Sequence, residues 1–338
     1  MEAIVAGVPG DETAWGNPVV TQTLINAVKA AGFKTIRIPV AWSKFSDPMN
    51  YTIDSAWLDR VEEVVNYALN ADMYVIINEH WDGGWLNEPT YAKQTELNNR
   101  LSIMWAQIAT RFQAYDHRLL FAGTNEVLFE GNYNTPTVEY YTVQNSFNQT
   151  FVDAVRATGD DNNDANDGNA NEDRYLVVQG FNTNINHTVN FFALPTDSSV
   201  DRLIAEVHYY DPYNFTLNAG SSITQWGCIA TDLSAVESWA NEAWVESQFN
   251  AMKTNFIDQG IGVILGEYGV ISRQAVSGHE TYRVYWNEYI SKSAVNHGIV
   301  PVYWDNGYTG NNSMGLFNRG TGAQAYPDII NAVVSAVN

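Results

Sequence analysis

Short apolar runs of strand length alternate with longer amphipathic stretches along nearly the whole chain, and this alternation limits the folds that the chain can adopt. The runs that predict strands are Thr35–Pro39, Tyr74–Asn78, Leu119–Gly123, Tyr175–Gln179, Leu203–His208, Ile261–Gly266 and Val300–Tyr303. The stretches with helical periodicity are about Thr21–Ala31, Ser55–Asn70, Thr95–Phe112, Val138–Thr158, Glu237–Asp258, Glu280–His297 and Tyr326–Val337. Repeated strand–helix pairs are typical of βαβ units, and about eight units fit into 338 residues. The sequence therefore predicts an α/β protein with a (β/α)8 TIM barrel.

Glycines mark the ends of three predicted helices. Gly32, Gly260 and Gly298 each stand between a helical stretch and the next predicted strand, where a left-handed residue closes many helices. Neither an internal repeat nor a linker rich in Pro or Ser divides the chain. We therefore expect a single domain over residues 1–338.

The charge and the apolar runs exclude several classes of partner. The formal net charge is −21, with 38 acidic and 17 basic residues, so the chain repels phosphate backbones and anionic membranes. Its apolar runs are shorter than the roughly 20 residues of a transmembrane helix. The N-terminus has neither a basic segment nor the hydrophobic core of a secretory signal. We expect no nucleic-acid or membrane partner, and a signal already removed if the protein is secreted.

Aromatic residues are frequent, and cysteine is nearly absent. The chain has 11 Trp and 19 Tyr, whose faces can stack on sugar rings, although a ring-rich core would give the same composition. Cys228 is the only cysteine, so neither an intramolecular disulfide nor a cysteine-based zinc site can form. The acidic segment 159–173 does not match the spacing of a calcium-binding loop. We expect that segment to be a solvated surface loop rather than a cation site.

Polar side chains follow the predicted strands at the end where a barrel places its active site. Two apolar runs each end in a glutamate, Glu126 and Glu267. The other residues in this position are Arg37, His80, Asn125, His208, Tyr210 and Trp304. Because the carboxyl ends of barrel strands share one face, we expect these side chains to line one cavity.

Two carboxylates across a cavity suit the cleavage of a glycosidic bond, in which one acts as acid and the other as nucleophile or base. The acid must hold its proton near the working pH, and the nucleophile needs hydrogen-bond donors. Glu126, preceded by Asn125, fits the acid/base role. Glu267 fits the role of the nucleophile, with Arg37 and Tyr210 as candidate hydrogen-bond donors to its carboxylate.

Each of these residues also has a simpler explanation. Arg37 could pair with a neighbouring barrel carboxylate in a structural role, and His80 and His208 could be core histidines. The histidines could instead bind a metal with Glu267 or Asp82, but the chain has no H-E-x-x-H motif or similar close-spaced ligand set. We expect neither a metal nor a cofactor.

Seven segments resemble glycoside hydrolase family 5, and most closely its subfamily 4, the endoglucanases and xyloglucanases of bacterial plant-wall degradation. They are residues 13–18, 31–40, 76–85, 123–126, 207–210, 266–269 and 303–307. The resemblance implies a retaining mechanism with Glu126 as acid/base and Glu267 as nucleophile. The usual Asn-Glu-Pro triplet is Asn125-Glu126-Val127 here, a position at which the subfamily often varies.

The resemblance also implies the residues that bind substrate. Those implied for the −1 subsite are Arg37, His80, Asn125, His208, Tyr210 and Trp304. Candidates for further subsites are Trp81, Trp85, Trp15, Trp42 and Trp226, each of which could equally pack in the core. The implied function is a retaining endo-β-1,4-glucanase, secreted or at the cell surface of a bacterium, with a β-glucan as partner. Xyloglucan, mixed-linkage glucan or mannan as substrate, and an inactive carbohydrate-binding protein, are the alternatives.

Relatives in this family carry a first barrel strand ahead of the segment that matches Glu2-Ala3, and the resemblance implies that this strand is missing here. The short apolar run Ile4–Val8 could replace it. A barrel without one strand would expose the edges of Thr35–Pro39 and Val300–Tyr303 and invite dimerisation. We expect a monomer, or a dimer if the first strand is missing.

Overall fold

Seven strands and nine α-helices alternate along residues 12–159 and 170–337, the part of the chain that this computed structural model describes. The strands are β1 (Thr35–Val40), β2 (Tyr74–Glu79), β3 (Leu119–Ala122), β4 (Leu176–Gln179), β5 (Leu203–Tyr209), β6 (Gly262–Tyr268) and β7 (Ile299–Pro301). The helices are α1 (Gln22–Ala30), α2 (Ser55–Asn70), α3 (Tyr91–Arg111), α4 (Val138–Arg156), α5 (Ile185–Phe191), α6 (Tyr213–Thr216), α7 (Glu242–Asn255), α8 (His279–Asn296) and α9 (Pro327–Ser335). All the predicted strands and helices are present, which confirms the alternation.

Some predicted boundaries are wrong. Helix α7 begins at Glu242 rather than at Glu237, because the Asn241 side chain accepts a hydrogen bond from the Trp244 amide and caps the helix there. Helix α3 begins four residues earlier than predicted, at Tyr91, because none of the first four residues is buried and the turn shows no core-facing periodicity. The short helices α5 and α6 were not predicted, since neither is long enough to show a periodic pattern.

The chain divides into two compact units by its backbone contacts. Unit 1 comprises residues 1–22 and 34–206, and unit 2 comprises residues 23–33 and 207–338. In unit 1, β1 to β4 and the beginning of β5 pair in parallel in chain order. In unit 2, β6 pairs in parallel with β7. The single domain expected from the sequence stays a prediction.

The core of unit 1 determines how the chain leaves β3. Trp105 on α3 and Phe151 on α4 pack edge to face with their ring centroids 4.6 Å apart, and the Trp105 indole donates to the carbonyl of Gly123 at 2.9 Å. A Cβ at Gly123 would lie 2.5 Å from the Phe151 ring. Glycine is therefore required where the chain turns toward Asn125 and Glu126. Burying a ring such as Phe151 stabilises the fold by about 1.5–3 kcal/mol.

Aromatic side chains dominate the core of unit 2. Tyr209, at the end of β5, stacks on Trp286 of α8 with ring centroids 6.1 Å apart. Tyr268, at the end of β6, is fully buried, and its hydroxyl lies 2.7 Å from Ser291 Oγ of α8. These contacts hold the carboxyl ends of β5 and β6 against α8, and Glu267 directly precedes Tyr268.

Two predicted segments fall wholly or partly on undescribed residues. The replacement strand at residues 4–8 lies outside the described residues, and so do residues 160–169 of the acidic segment. At the described end of that segment Asn171 is buried and donates to the Ala109 carbonyl at 2.8 Å, so this part is packed rather than solvated. None of the described helices combines the length and the apolar character needed to cross a membrane.

Candidate active site

Arg37, in the middle of β1, and Asn125, which follows β3, meet in unit 1. The Arg37 guanidinium lies 2.8 Å from a carboxylate oxygen of Glu206, and both side chains are at most 2% exposed. Its Nη2 donates to Asn125 Oδ1 at 2.7 Å. Arg37 thus pairs with a sheet carboxylate, as the structural explanation predicts, and also holds the amide that precedes Glu126. A buried ion pair of this kind is retained only with good geometry, so it fixes the position of the Asn125 side chain.

Asn78 joins His80 to the same network. The Asn78 amide nitrogen lies 3.1 Å from His80 Nδ1 and 3.5 Å from Asn125 Oδ1. Because an amide nitrogen only donates, Nδ1 of His80 is the acceptor in this contact. Asn78 was not predicted, although a polar residue two positions before a candidate site residue shares its face of the strand.

Gln179 and Glu206 support this network from β4 and β5. Gln179 donates to Glu206 Oε2 at 2.7 Å and accepts hydrogen bonds from the amide and the hydroxyl of Thr124 at 3.1 and 3.0 Å. All three residues are buried. The loop that carries Glu126 is therefore tied to two further strands. Single polar residues inside apolar runs were the only sign of this network in the sequence.

Glu126 is half-buried and lines a cleft of unit 1. The residues that share this cleft include His80, Trp81, Asp82, Trp85, Asn125, Glu130 and Tyr133. Trp81 and Trp85 thus lie where the sequence expected sugar-binding side chains. Trp15, which is 54% exposed, is not among the cleft residues. Tyr133, which is 72% exposed at the cleft, was not predicted, since it follows no strand.

Two buried carboxyl groups, those of Glu79 and Asp82, also line this cleft. Glu79 is 2% exposed and accepts a hydrogen bond from the Trp85 indole at 2.7 Å. Burial, and then the charge of Asp82, raise the pKa of Glu79 well above its ordinary value. Burial also raises the pKa of Asp82, although hydrogen bonds from Ser43 oppose this. Glu79 was not predicted to lie near the site.

Glu267 lies in unit 2 among side chains from β5 and the residue after it. Its Oε2 accepts a hydrogen bond from the Tyr210 hydroxyl at 3.1 Å and lies 3.6 Å from His208 Nδ1. Glu267 is 5% exposed and His208 is 7% exposed. Two of the residues that the sequence selected in unit 2, His208 and Tyr210, therefore lie against Glu267. The Tyr210 phenol orients the carboxylate of Glu267.

Trp304 follows β7 in unit 2. Its backbone amide donates to the Tyr268 carbonyl at 3.0 Å, which continues the pairing of β6 and β7 past the strand ends. This bond places Trp304 next to the residue that follows Glu267, and its side chain is half-buried. The geometry agrees with a position at the carboxyl edge of the strands.

Two tryptophans proposed for further subsites are core residues. Trp42 is fully buried, and its indole donates to the Asn78 carbonyl at 2.9 Å. Trp226 is 1% exposed, and its indole donates to the Ala240 carbonyl at 2.6 Å. Both have their one polar atom satisfied by backbone, as buried tryptophans usually do. The packing explanation is therefore correct for these two.

Sequence comparisons relate this arrangement to known proteins. Residues 2–310 match the family model described as Cellulase (glycosyl hydrolase family 5). Endoglucanase A of Paenibacillus barcinonensis is 41% identical over 355 residues, which cover 100% of this chain and 86% of the relative. The xyloglucan-specific endo-β-1,4-glucanase of Bacteroides ovatus is 44% identical over 353 residues, which cover 100% of this chain and 67% of the relative.

Solved structures agree with the sequence comparisons. A family 5 xyloglucanase from Paenibacillus pabuli matches with a TM-score of 0.92 and 42% identity over 100% of this chain and 96% of its own. A GH5-4 broad-specificity endoglucanase from Bacteroides salanitronis matches with a TM-score of 0.89 and 39% identity, over 98% and 89% of the two chains. Together with the seven strands, these similarities confirm the predicted (β/α)8 fold class.

Proposed function

The chain belongs to the cellulase family, glycosyl hydrolase family 5, and we propose that its endo-β-1,4-glucanase activity uses Glu126 as acid/base and Glu267 as nucleophile. The observation that carries the assignment of Glu126 is its place in a cleft beside Trp81 and Trp85. Tryptophan faces stack on sugar rings, so the carboxyl group lies where a glucan chain would bind.

The reaction then proceeds in two displacements. The Glu267 carboxylate attacks the anomeric carbon while Glu126 gives its proton to the departing glycosidic oxygen, which leaves a glycosyl ester on Glu267. In the second step Glu126 takes a proton from water, whose oxygen attacks the same carbon and releases Glu267. This mechanism requires the two carboxyl groups to be roughly 5 Å apart, rather than the roughly 6.5–9.5 Å of inverting enzymes.

The neighbouring residues position the substrate and the nucleophile. Asn125 Oδ1 accepts from Arg37, so the amide nitrogen is oriented to donate, and we assign it to the sugar 2-hydroxyl. Tyr210 holds one oxygen of Glu267 through its hydroxyl. We propose that His80, His208 and the other residues of the implied −1 subsite bind the same sugar. Trp304 would stack beneath the ring of that sugar.

The stereochemistry of the product tests the mechanism. Proton NMR of a β-1,4-glucan digest should show the β-anomer first, before mutarotation, because two inversions retain the configuration. Glu267→Gln should abolish turnover, since an amide forms no glycosyl ester. Glu288→Gln, on the exposed face of α8, is the matched control and should keep it. Early accumulation of the α-anomer would contradict the double displacement.

The choice of glucan is a second proposal. We propose xyloglucan as a substrate beside cellulose-like glucans, because a xyloglucan-specific relative is 44% identical to this chain. Reducing-sugar release should be measured side by side on carboxymethylcellulose, xyloglucan, lichenan and mannan. Release from none of the four would favour the alternative of an inactive carbohydrate-binding protein.

We further propose that the protein acts as a monomer, secreted or at the cell surface of a bacterium, where β-glucan polymers are accessible. Light scattering on the eluting protein should give the mass of one chain. A dimer would support the prediction of an unpaired strand edge.

A further inference from the structure

We infer that Glu79 is a positioning residue that holds Trp85 in the wall of the substrate cleft. The inference rests on the proposed function, since it takes the cleft that contains Glu126 as the glucan site. Glu79 ends β2, directly before His80. Successive side chains of a strand point to opposite faces, so Glu79 points away from the face that carries Asn78 and His80. Its role is thus distinct from theirs.

The contact with Trp85 is short and directional. The indole Nε1 of Trp85 donates to Glu79 Oε1 at 2.7 Å. Both residues line the cleft, but Glu79 is 2% exposed, whereas Trp85 is half-buried and more open to it. The hydrogen bond that the indole donates to this buried carboxyl group therefore determines the orientation of a ring that faces the substrate.

Arg100 holds the same ring from a second direction. Its guanidinium carbon lies 4.3 Å from the centroid of Trp85, a cation–π distance, and 5.3 Å from that of Tyr51. The glycine pair Gly83-Gly84, both at positive φ, turns the chain between the two cleft tryptophans. Glycine adopts many backbone conformations, so the contacts with Glu79 and Arg100 help to fix the orientation of Trp85.

Burial and the charge of Asp82 raise the pKa of Glu79 and so favour its neutral form, although Arg100 and the hydrogen bond from Trp85 oppose this. The Oε2 atom of Glu79 is buried without a hydrogen-bond partner among the described residues, and Asp82 is buried close to it. A second charge in this place would be desolvated and repelled, which favours the protonated form. A neutral carboxyl group still presents a carbonyl oxygen to the indole. Glutamine supplies the same oxygen without a charge, so Glu79→Gln is the conservative variant.

Steady-state kinetics on carboxymethylcellulose and xyloglucan test the inference. Glu79→Leu removes the acceptor, and we expect KM to rise roughly 3- to 10-fold, the effect of one lost hydrogen bond, with kcat within about twofold. Glu79→Gln should restore most of the wild-type KM. In a Glu267→Gln background, quenching of tryptophan fluorescence by cellotetraose should show the same rise in Kd for Glu79→Leu.

A double-mutant cycle with Trp85→Phe distinguishes the loss of Trp85 positioning from a general disturbance of the folded structure. Phenylalanine keeps a ring but has no N–H, so Trp85→Phe should raise KM like Glu79→Leu, and the second substitution should add nothing. Additive effects, a fall in kcat with KM unchanged, or a Glu79→Gln variant as impaired as Glu79→Leu would each overturn the inference. If Glu79→Leu fails to fold, an unchanged KM in Trp85→Phe overturns it as well. Turnover by Glu267→Gln alone would instead overturn the proposed function.

Discussion

Glu206→Gln tests whether the buried ion pair with Arg37 supports both the fold and the site. The substitution keeps the volume of the side chain and removes its charge. It leaves the Arg37 guanidinium, whose side chain is 2% exposed, without the carboxylate that lies 2.8 Å away. Gln179, which donates to the other oxygen of Glu206, keeps an acceptor only if the new amide oxygen faces it. The amide NH2 group then faces the Arg37 guanidinium, so the change removes both the charge and the acceptor that Arg37 uses.

Removing one partner of a buried ion pair typically costs about 3–5 kcal/mol, because the remaining charge stays desolvated. The unfolding entropy of a 338-residue chain, at about 2.1 cal/mol/K per residue, is roughly 0.7 kcal/mol/K. The expected fall in Tm is the ratio of these quantities, about 4–7 °C. Scanning calorimetry measures it directly.

The same substitution should reduce turnover. Arg37 holds Asn125 Oδ1 at 2.7 Å, and a guanidinium that has lost its carboxylate is free to shift with that amide. A displacement of about 1 Å at a substrate-positioning group can lower the rate by a factor on the order of 10 to 100. We expect a loss of this size in kcat/KM, measured on an aryl β-cellobioside well below the melting transition.

Asp197→Asn provides the matched control. Asp197 forms a buried ion pair with Arg156, with 2.7 Å between Nε and Oδ1, at the opposite end of the strands from the site. The Asp197→Asn substitution should lower Tm by a similar amount and leave kcat/KM within about twofold of wild type. A Glu206→Gln enzyme that melts with the wild type would refute the stability argument. Equal activity losses in the two variants would refute the link to Asn125.

Three further predictions concern the acid, metal ions and pH. Glu126→Ala should reduce the turnover of aryl glucosides with good leaving groups far less than that of glucosides with poor ones. Azide should restore turnover, because it attacks the glycosyl ester in place of water. Equal losses of turnover on both kinds of glucoside would show that Glu126 is not the acid. Activity should be unchanged by EDTA, and a loss restored by a divalent ion would favour the metal hypothesis for the histidines. Burial beside Phe181 and Phe191 lowers the pKa of His187 below the ordinary value of about 6.5. On acidification the unfolded chain therefore binds more protons at this residue than the folded protein does. Tm should fall as the pH drops below about 6.5. His187→Gln should flatten this dependence in thermal melts, and an unchanged slope would contradict the assignment.

The motifs of the sequence predicted the family, and the apolar runs predicted which strand each candidate residue accompanies. Asn125 and Glu126 follow β3, and Glu267 lies one residue before the end of β6. The choice between stacking and packing for Trp42 and Trp226 could not be made in this way. A tryptophan near a strand end has the same local pattern in either role.

What the sequence alone determined is the periodic alternation that defines the α/β class and the chemistry available after each strand. Only the tertiary structure decided which polar groups form ion pairs and hydrogen bonds with one another. Arg37 and Glu206 are 169 residues apart in the chain, and their side chains meet at 2.8 Å. Glu79 and Trp85 are only six residues apart, but it is the burial of Glu79 that lets their hydrogen bond hold the Trp85 ring in place. Desolvation and long-range contact depend on packing, and packing is set by the whole chain rather than by any local run of residues.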